Sequence, residues 1–180
     1  MKTDDTKAPA ELETPRLILR KSRVEDWRDM YENVWSRPES ARYMLWSVTT
    51  NEDDARARME RTLKFEQTHP WKYAVEEKAS GKVIGWAGIE RLGEGVWGET
   101  GIALGPDFFR RGYGREIVER LTALCRDELG AREFVYCARE GNVASIALAH
   151  ACGFSFERSE VRTEDEGNEY TLNYYRKKLK

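Results

Sequence analysis

Two glycines and three arginines cluster in the segment FRRGYGRE, immediately ahead of a predicted amphipathic helix. The first turn of a helix has N–H groups without intrahelical partners, and the helix dipole adds partial positive charge there. Gly112 and Gly114 remove side chains that would hold a ligand away from these N–H groups. Arg110, Arg111 and Arg115 supply neutralising charge. The combination predicts a binding site for a phosphate-bearing ligand.

Two common phosphate-binding patterns are absent from this segment. It has no GxxxxGK followed by Ser or Thr, so the lysine and hydroxyl that hold a triphosphate and its magnesium are missing. It also has no GxGxxG turn, because Ile117 stands where the third glycine would fall. The phosphate is therefore expected to be held in a different way.

Hydrophobic spacing places this segment between a strand and a helix in an alternating chain. Helices are predicted between Ser22 and Pro38, over residues 51–67 and 115–129, and after Asn142. Strand patterns occupy residues 16–21, 71–78, 82–92, 95–104, 133–138, 153–162 and 168–179. This order predicts an α/β (α+β) fold with a mixed, mostly antiparallel seven-stranded sheet and about four helices. Residues 96–138 are predicted to form a parallel, right-handed β-α-β crossover.

Length and charge limit the classes of protein to which the chain can belong. A length of 180 residues predicts one domain, placed over residues 14–180. The first 13 residues, MKTDDTKAPAELE, are expected to form a flexible tail. A net charge of −2 argues against general affinity for nucleic acid. Without a membrane-length apolar run or a signal-peptide pattern, a cytoplasmic monomer or homodimer that binds no membrane is expected. The three cysteines lack metal-ligand spacing and are interpreted as reduced core residues, so no metal site is predicted.

Two stretches carry a resemblance to a known family. FRRGYG, Phe109 to Gly114, resembles the signature Gln/Arg-x-x-Gly-x-Gly/Ala by which the GNAT acetyltransferase superfamily binds the pyrophosphate of acetyl-coenzyme A on backbone amides. NVASIALAHACGF, Asn142 to Phe154, is similar to that superfamily's second motif. ETPRLILR and GETGIALGPDFF further resemble the RimJ/RimL-like branch, which modifies ribosomal-protein N-termini and assorted small amines.

The resemblance implies that acetyl-coenzyme A is the cofactor and that it enters a splay between the fourth and fifth predicted strands. In this family the pantetheine arm pairs with the fourth strand, at positions that match Ile102, Ala103 and Leu104. Gly101 and Gly105 in that strand are consistent with a bulge or a close backbone approach. The two motifs further imply cofactor contacts at Arg110, Arg111, Gly112, Tyr113, Gly114, Arg115, Asn142 and Ser145.

Two positions depart from the family pattern. Phe109 replaces the first Gln or Arg of the signature, so one polar contact is lost or taken over by Arg110 or Arg111. Ala149 stands where many relatives have a tyrosine that protonates the departing thiolate. Ser145 is left as a candidate proton donor, with a hydrogen bond to its own helix as the alternative role.

The remaining chemistry is deprotonation of an amine. An α-amino group with a pKa near 8 is neutral in roughly one molecule in ten at pH 7, whereas a lysine is neutral in roughly one in 2,500. An N-terminal amine therefore requires only a weak base. Glu99, beside the implied thioester, is the first candidate, with a cross-strand arginine partner as its alternative role, and Glu90 is the second candidate.

The acceptor site is expected near residues 36–50, whose apolar cluster includes Tyr43 and Trp46. This cluster is interpreted as a substrate lid, a dimer contact or core closure. The expected function is direct transfer of an acetyl group to a primary amine, preferably a protein or peptide N-terminus. The alternatives are a small amine (a polyamine, an aminoglycoside or an amino acid) as acceptor, or, because of Ala149, a non-catalytic acyl-coenzyme A sensor. RNA binding by the arginines conflicts with the acidic charge balance.

Overall fold

In the computed structural model, which describes residues 7–164 and 167–180, eight strands form one sheet. They are β1 (Glu11–Glu13), β2 (Leu17–Arg20), β3 (Lys72–Glu77), β4 (Lys82–Gly93), β5 (Val96–Leu104), β6 (Glu133–Arg139), β7 (Ser155–Thr163) and β8 (Glu169–Lys178). Their order across the sheet is β1-β2-β3-β4-β5-β6-β8-β7. Neighbouring strands are antiparallel except β5 and β6, which are parallel. The predicted mixed, mostly antiparallel fold with a parallel crossover pair is confirmed.

The sheet has one strand more than the seven predicted. Glu11–Glu13, assigned from the sequence to a flexible tail, pairs antiparallel with β2. Leu12 is 2% exposed and packs in the core, while both neighbouring glutamates are exposed. The burial of this one side chain anchors the strand, so the predicted tail boundary at residue 13 is wrong. Residues 1–6 of the predicted tail lie outside the described residues.

Five α-helices flank the sheet in the described part of the chain: α1 (Trp27–Met30), α2 (Pro38–Ala41), α3 (Glu52–Thr68), α4 (Tyr113–Asp127) and α5 (Val143–Ala151). The helix predicted between Ser22 and Pro38 is divided, because a 3-10 turn precedes α1 and a π-helix, Tyr31–Trp35, follows it. α3 begins where expected, since Asn51 Oδ1 accepts the N–H of Asp54 at 2.9 Å. None of the helices within residues 7–164 and 167–180 is long and apolar enough to cross a membrane.

The two faces of the sheet are covered by different helices. α4 and α5 pack on one face, where Ile117, Leu121 and Leu124 are fully buried. α1, the π-helix and α3 pack on the other face, against Ala74 and Ala103. Successive residues of a strand point to opposite faces, and the central strands β3, β4 and β5 contribute residues to both clusters.

β5 carries a bulge in its second half. Thr100 and Gly101 lie opposite Gly88 alone, so β5 has one residue more than β4 at this point. Gly101 has a φ of 116°, a backbone conformation that other residues rarely adopt. The bulge expected from Gly101 is therefore present.

β5 and β6 separate immediately before this bulge. They pair only between Val96–Gly98 and Glu133–Val135, and no pair joins them further along within the described residues. A Cβ added at Gly105, at the far end of the separated stretch, would lie 2.3 Å from the carbonyl oxygen of Asn33 in the π-helix. The predicted splay and the predicted close backbone approach at Gly105 are both confirmed.

Replacing Gly101 by alanine is expected to destabilise the protein by about 1–3 kcal/mol, because the alanine must adopt the left-handed backbone of the bulge. Its Cβ would also lie 2.7 Å from the Trp86 ring. Gly93→Ala in β4 is the matched control, since an added Cβ there meets nothing within 4 Å. In urea denaturation, the free energy of unfolding of Gly93→Ala should lie within about 0.5 kcal/mol of the wild-type value. Equal stabilities of the two variants would show that the bulge does not depend on glycine.

Candidate active site

The turn between β5 and α4 presents main-chain donors at the start of a helix. Gly112, with a φ of 80°, immediately precedes α4. The N–H of Glu116 donates to the C=O of Gly112 at 3.2 Å. The N–H groups of Tyr113, Gly114 and Arg115 therefore precede the helical hydrogen-bond ladder. A series of such N–H groups is suited to binding an anion.

Tyr113 anchors this turn through a buried side chain. Its Oη donates to Glu77 Oε1 at 2.5 Å, and the guanidinium of Arg16 lies 4.5 Å from its ring centroid. Hydrogen bonding to Tyr113 is the largest effect that holds the pKa of the Glu77 carboxyl below its usual range. Because the Tyr113 side chain points into the protein, its group available to a ligand is the main-chain N–H.

The three arginines of the turn have different surroundings. Arg115 Nε donates to Glu119 Oε1 at 2.7 Å, and Arg111 Nη1 lies 3.8 Å from Glu77 Oε1. Arg110 is exposed, and no carboxylate among the described residues lies within ion-pair distance of it. Its charge is therefore the least compensated of the three.

The edge of β5 that faces the splay pairs with no other strand of the described chain along the separated stretch. The N–H of Gly105 donates to the C=O of Ile84 in β4 at 2.8 Å. Because main-chain groups alternate in direction along a strand, those of Ile102 and Leu104 face away from β4 and towards the splay. The C=O of Leu104 accepts the Ser40 hydroxyl at 3.0 Å. Ile102 thus directs both its N–H and its C=O into the opening.

Glu99 lies at the point where β5 and β6 separate. Its Oε1 accepts the N–H of Cys137 in β6 at 3.0 Å, and its Oε2 accepts the N–H of Gly101 in the bulge. These main-chain partners differ from the cross-strand arginine considered as its alternative role. Burial raises the pKa of the Glu99 carboxyl to about 6, against the opposing effects of the two N–H donors and of Lys72.

A cavity of about 310 Å³ lies beside this carboxylate. Six of the predicted site residues line it: Tyr43, Trp46, Glu99, Ile102, Asn142 and Ser145. Glu90, the second candidate base, is exposed and is not part of this lining, and Ala103 is buried in the cluster under α1 and α3 and is not part of the lining either. The structure therefore places Glu99 and Ser145 in one cavity, apart from Glu90.

Ser145 of α5 and the cap residue Asn142 contribute polar groups to the cavity. Asn142 Oδ1 accepts the N–H of Ser145 at 3.1 Å, which confirms Asn142 as the helix cap. Ser145 Oγ lies 2.8 Å from the hydroxyl oxygen of Tyr136 in β6, instead of bonding back to its own helix. Ala149 is 0% exposed and brings no side-chain polar group.

Tyr136 is a site residue that the sequence analysis missed. It is 4% exposed, and burial together with the charge of Glu99 raises the pKa of its hydroxyl above the usual range. The tyrosine therefore keeps its proton at neutral pH. The available signal was the one phenolic group within the apolar strand EFVYCA, but strand alternation alone does not show that it faces α5.

The cysteines are unpaired, and one of them differs from the prediction. Cys125 and Cys152 are buried, as expected, whereas Cys137 is partly exposed and lines the cavity. Burial raises the pKa of the Cys137 thiol to about 12. The thiol is thus protonated and a poor nucleophile at neutral pH.

The link at residues 36–50 forms a wall of the site. Tyr43 donates its hydroxyl proton to the C=O of Gly141 at 2.8 Å, which ties the link to the turn before α5. Trp46 lines both the 310 Å³ cavity and a second cavity of about 740 Å³ between α3 and the sheet. The apolar cluster of the link therefore shapes the space around Glu99.

Comparison with known proteins gives one family. Residues 16–155 match the model of the Acetyltransferase (GNAT) domain. A GCN5-related N-acetyltransferase from Brucella melitensis has a similar structure, with 20% identity, a TM-score of 0.82, and coverage of 97% of this chain and 83% of that chain. A putative ribosomal-protein-serine acetyltransferase from Vibrio cholerae has 19% identity, a TM-score of 0.78, and coverage of 97% and 100%. The Microcin C7 self immunity acetyltransferase MccE, solved with acetyl-CoA and AMP, has 20% identity, a TM-score of 0.77, and coverage of 92% and 94%.

The main-chain geometry fits the ligand of this family. An added Cβ at Gly114 would lie 3.0 Å from Leu148, so a larger residue would crowd the start of α4. The N–H groups at that helix start suit a pyrophosphate, and the free edge of β5 suits the amides of a pantetheine arm. The domain match extends across the strand, the turn and the whole of the second motif, and the chain therefore belongs to the GNAT family of acetyltransferases, which use acetyl-coenzyme A as acyl donor.

Proposed function

We propose that this acetyltransferase acts on the N-terminal α-amine of a protein or peptide. The observation that carries the proposal is the position of Glu99, a carboxylate with a pKa of about 6 inside the cavity beside the free edge of β5. A base of this strength suits an α-amine, whose own pKa is near 8, better than a lysine near 10.4. The similarity in fold to a putative ribosomal-protein-serine acetyltransferase supports a RimJ/RimL-like role.

The binding roles follow from the main chain. The N–H groups of Tyr113, Gly114 and Arg115, with the charge of Arg110, hold the pyrophosphate. The edge of β5 at Ile102 and Leu104 pairs with the pantetheine arm, and Asn142 contacts it from α5. Bound acetyl-coenzyme A supplies an acyl group activated as a thioester.

The proton-transfer roles belong to the side chains of the cavity. Glu99 takes the proton that the amine loses as its nitrogen bonds to the acyl carbon. The N–H of Ile102 donates to the acyl oxygen, for which one donor is worth roughly 3 kcal/mol. As the carbon–sulfur bond breaks, Ser145 donates its proton to the sulfur and regains one from the Tyr136 hydroxyl, 2.8 Å away. Solvent then returns a proton to Tyr136, and Glu99 releases one.

Thiol release from acetyl-coenzyme A across an amine panel tests the acceptor class. Peptides with free N-termini should react at least about tenfold faster than N-terminally blocked lysine peptides, because far more of the α-amine is neutral at pH 7. Polyamines, aminoglycosides and free amino acids complete the panel. Faster reaction with these small amines would contradict the peptide assignment, and no release with any amine would favour the sensor interpretation.

Glu99→Gln should lower kcat by about 10²- to 10⁴-fold at pH 7, since it removes the general base. Glu90→Gln is the matched control, because Glu90 is exposed and does not line the cavity, and its kcat should remain near that of wild type. The wild-type kcat should rise with pH through about 6, because only the ionised Glu99 accepts a proton. An unchanged rate in Glu99→Gln would remove the base assignment.

Arg110→Ala should weaken coenzyme A binding by about tenfold, because it removes the least compensated cation of the turn. Arg126→Ala is the control at the other end of α4, where Arg126 pairs with Asp127 at 2.6 Å. Calorimetry should give an unchanged Kd for the control. Equal Kd values for the two variants would show that Arg110 does not contact the ligand.

A further inference from the structure

The 740 Å³ cavity has no role in the steps above. It is bounded by α3, by the second half of the 36–50 link and by β3 and β4. Trp46 and Trp86 line both this cavity and the smaller one beside Glu99, so the two spaces adjoin. An acceptor with its amine at Glu99 can therefore extend its remaining part into the larger cavity, which has the volume of pockets that hold a complete small ligand.

Arg58 of α3 presents its charge to this cavity between two tryptophans. Its guanidinium carbon lies 4.8 Å from the centroid of Trp35 and 4.5 Å from that of Trp46. One nitrogen, Nη1, donates to the Thr49 hydroxyl at 3.0 Å and to the C=O of Ser47 at 3.4 Å. These contacts fix the plane of the guanidinium and leave its other nitrogens available.

This guanidinium has no carboxylate partner within the described residues. Burial, together with the smaller effect of the Arg61 charge, lowers the pKa of Arg58 to about 10. The contrast on the same helix is Arg56, which pairs with Glu52 and with Asp53, each at 2.8 Å. A partly buried cation without a counter-charge is costly unless a ligand supplies the anion.

The acidic groups of the cavity are engaged elsewhere. Asp54 Oδ2 accepts from the Asn51 amide at 2.7 Å, and both oxygens of Glu66 accept from Ser22. Lys72 adds another cation to the lining. A second donor without an acceptor is Trp46 Nε1, which is buried and has no hydrogen-bond partner in the described part of the protein. This unpaired indole N–H and the Arg58 guanidinium therefore lie together, where Arg58 packs on Trp46.

We propose that the larger cavity receives the residues that follow the acceptor's N-terminus, and that Arg58 binds an acidic side chain among them. The inference rests on the proposed N-terminal acceptor and specifies which N-termini are preferred. Arginine suits this role because its remaining N–H groups match the two oxygens of a carboxylate. The aromatic walls at Trp35 and Trp46 limit access of water and strengthen the ion pair.

Matched peptides test the inference without any change to the protein. A series of about seven-residue peptides with a free N-terminal serine carries one Asp at position two, three, four or five, and each peptide has an Asn counterpart. At one position or two neighbouring positions the Asp peptide should show a KM lower by about tenfold, with kcat within about twofold. Equal KM values for every Asp and Asn pair would overturn the inference.

Two variants locate the effect. Arg58→Gln should abolish the preference for Asp, and Arg58→Lys should restore part of it, since charge is kept but the paired donors are lost. Arg56→Gln, on the outer face of the same helix, should keep the full preference. An unchanged preference in Arg58→Gln would exclude Arg58 as the binding group.

The outcomes also separate this inference from the proposed function. Acetylation of N-terminal peptides with no preference for Asp would overturn the binding of an acidic side chain by Arg58 and leave the proposed function intact. Faster acetylation of free aspartate or glutamate than of any peptide would assign the carboxylate to a small acceptor and overturn both. Acetylation of acidic peptides with the predicted drop in KM supports both.

Discussion

The hydrogen bond from the main-chain N–H of Cys137 to the carboxylate of Glu99 lies where β5 and β6 separate, and it takes the place of a main-chain bond between the two strands. It satisfies a β6 donor that would otherwise require a carbonyl of β5, so the strands can separate at this point without leaving the N–H of Cys137 unpaired. The bulge directs the N–H of Gly101 to the other carboxylate oxygen, which fixes the orientation of the side chain. Separation of the strands leaves the edge of β5 open at Ile102.

The same burial that makes Glu99 a suitable base has a cost in stability. The folded-state pKa, about 6, lies above the ordinary value of 4.5, so the folded protein binds the proton more tightly than the unfolded chain. Proton binding by Glu99 therefore stabilises the folded protein by about 2 kcal/mol below pH 4.5, and this contribution is lost as the pH rises through 6. At neutral pH the folded protein therefore keeps an ionised carboxylate away from water, which is unfavourable. Such groups with shifted pKa values are common where a side chain performs proton transfer.

Features set by local rules could be predicted from the sequence, and features set by distant contacts could not. The cap at Asn142, the bulge at Gly101 and the helix start after Gly112 depend on the conformations of a few adjacent residues. The Tyr136–Ser145 pair requires α5 to pack against β6, and the position of Arg58 between Trp35 and Trp46 requires α3 to pack against the π-helix and the 36–50 link, and no local pattern specifies either packing. β1 was missed because its anchor is one buried residue, Leu12, in a polar stretch.

A crystal structure of the complex with coenzyme A tests the central claim most directly, since the separated strands and the free helix start are assigned to one ligand. The pyrophosphate is expected on the N–H groups of residues 113–115, and the pantetheine amides are expected on Ile102 and Leu104. The sulfur should lie near Ser145, and the hydrogen bond from the Cys137 N–H to Glu99 should be kept. Coenzyme A bound elsewhere, or β5 and β6 closed into a continuous ladder around it, would contradict the assignment.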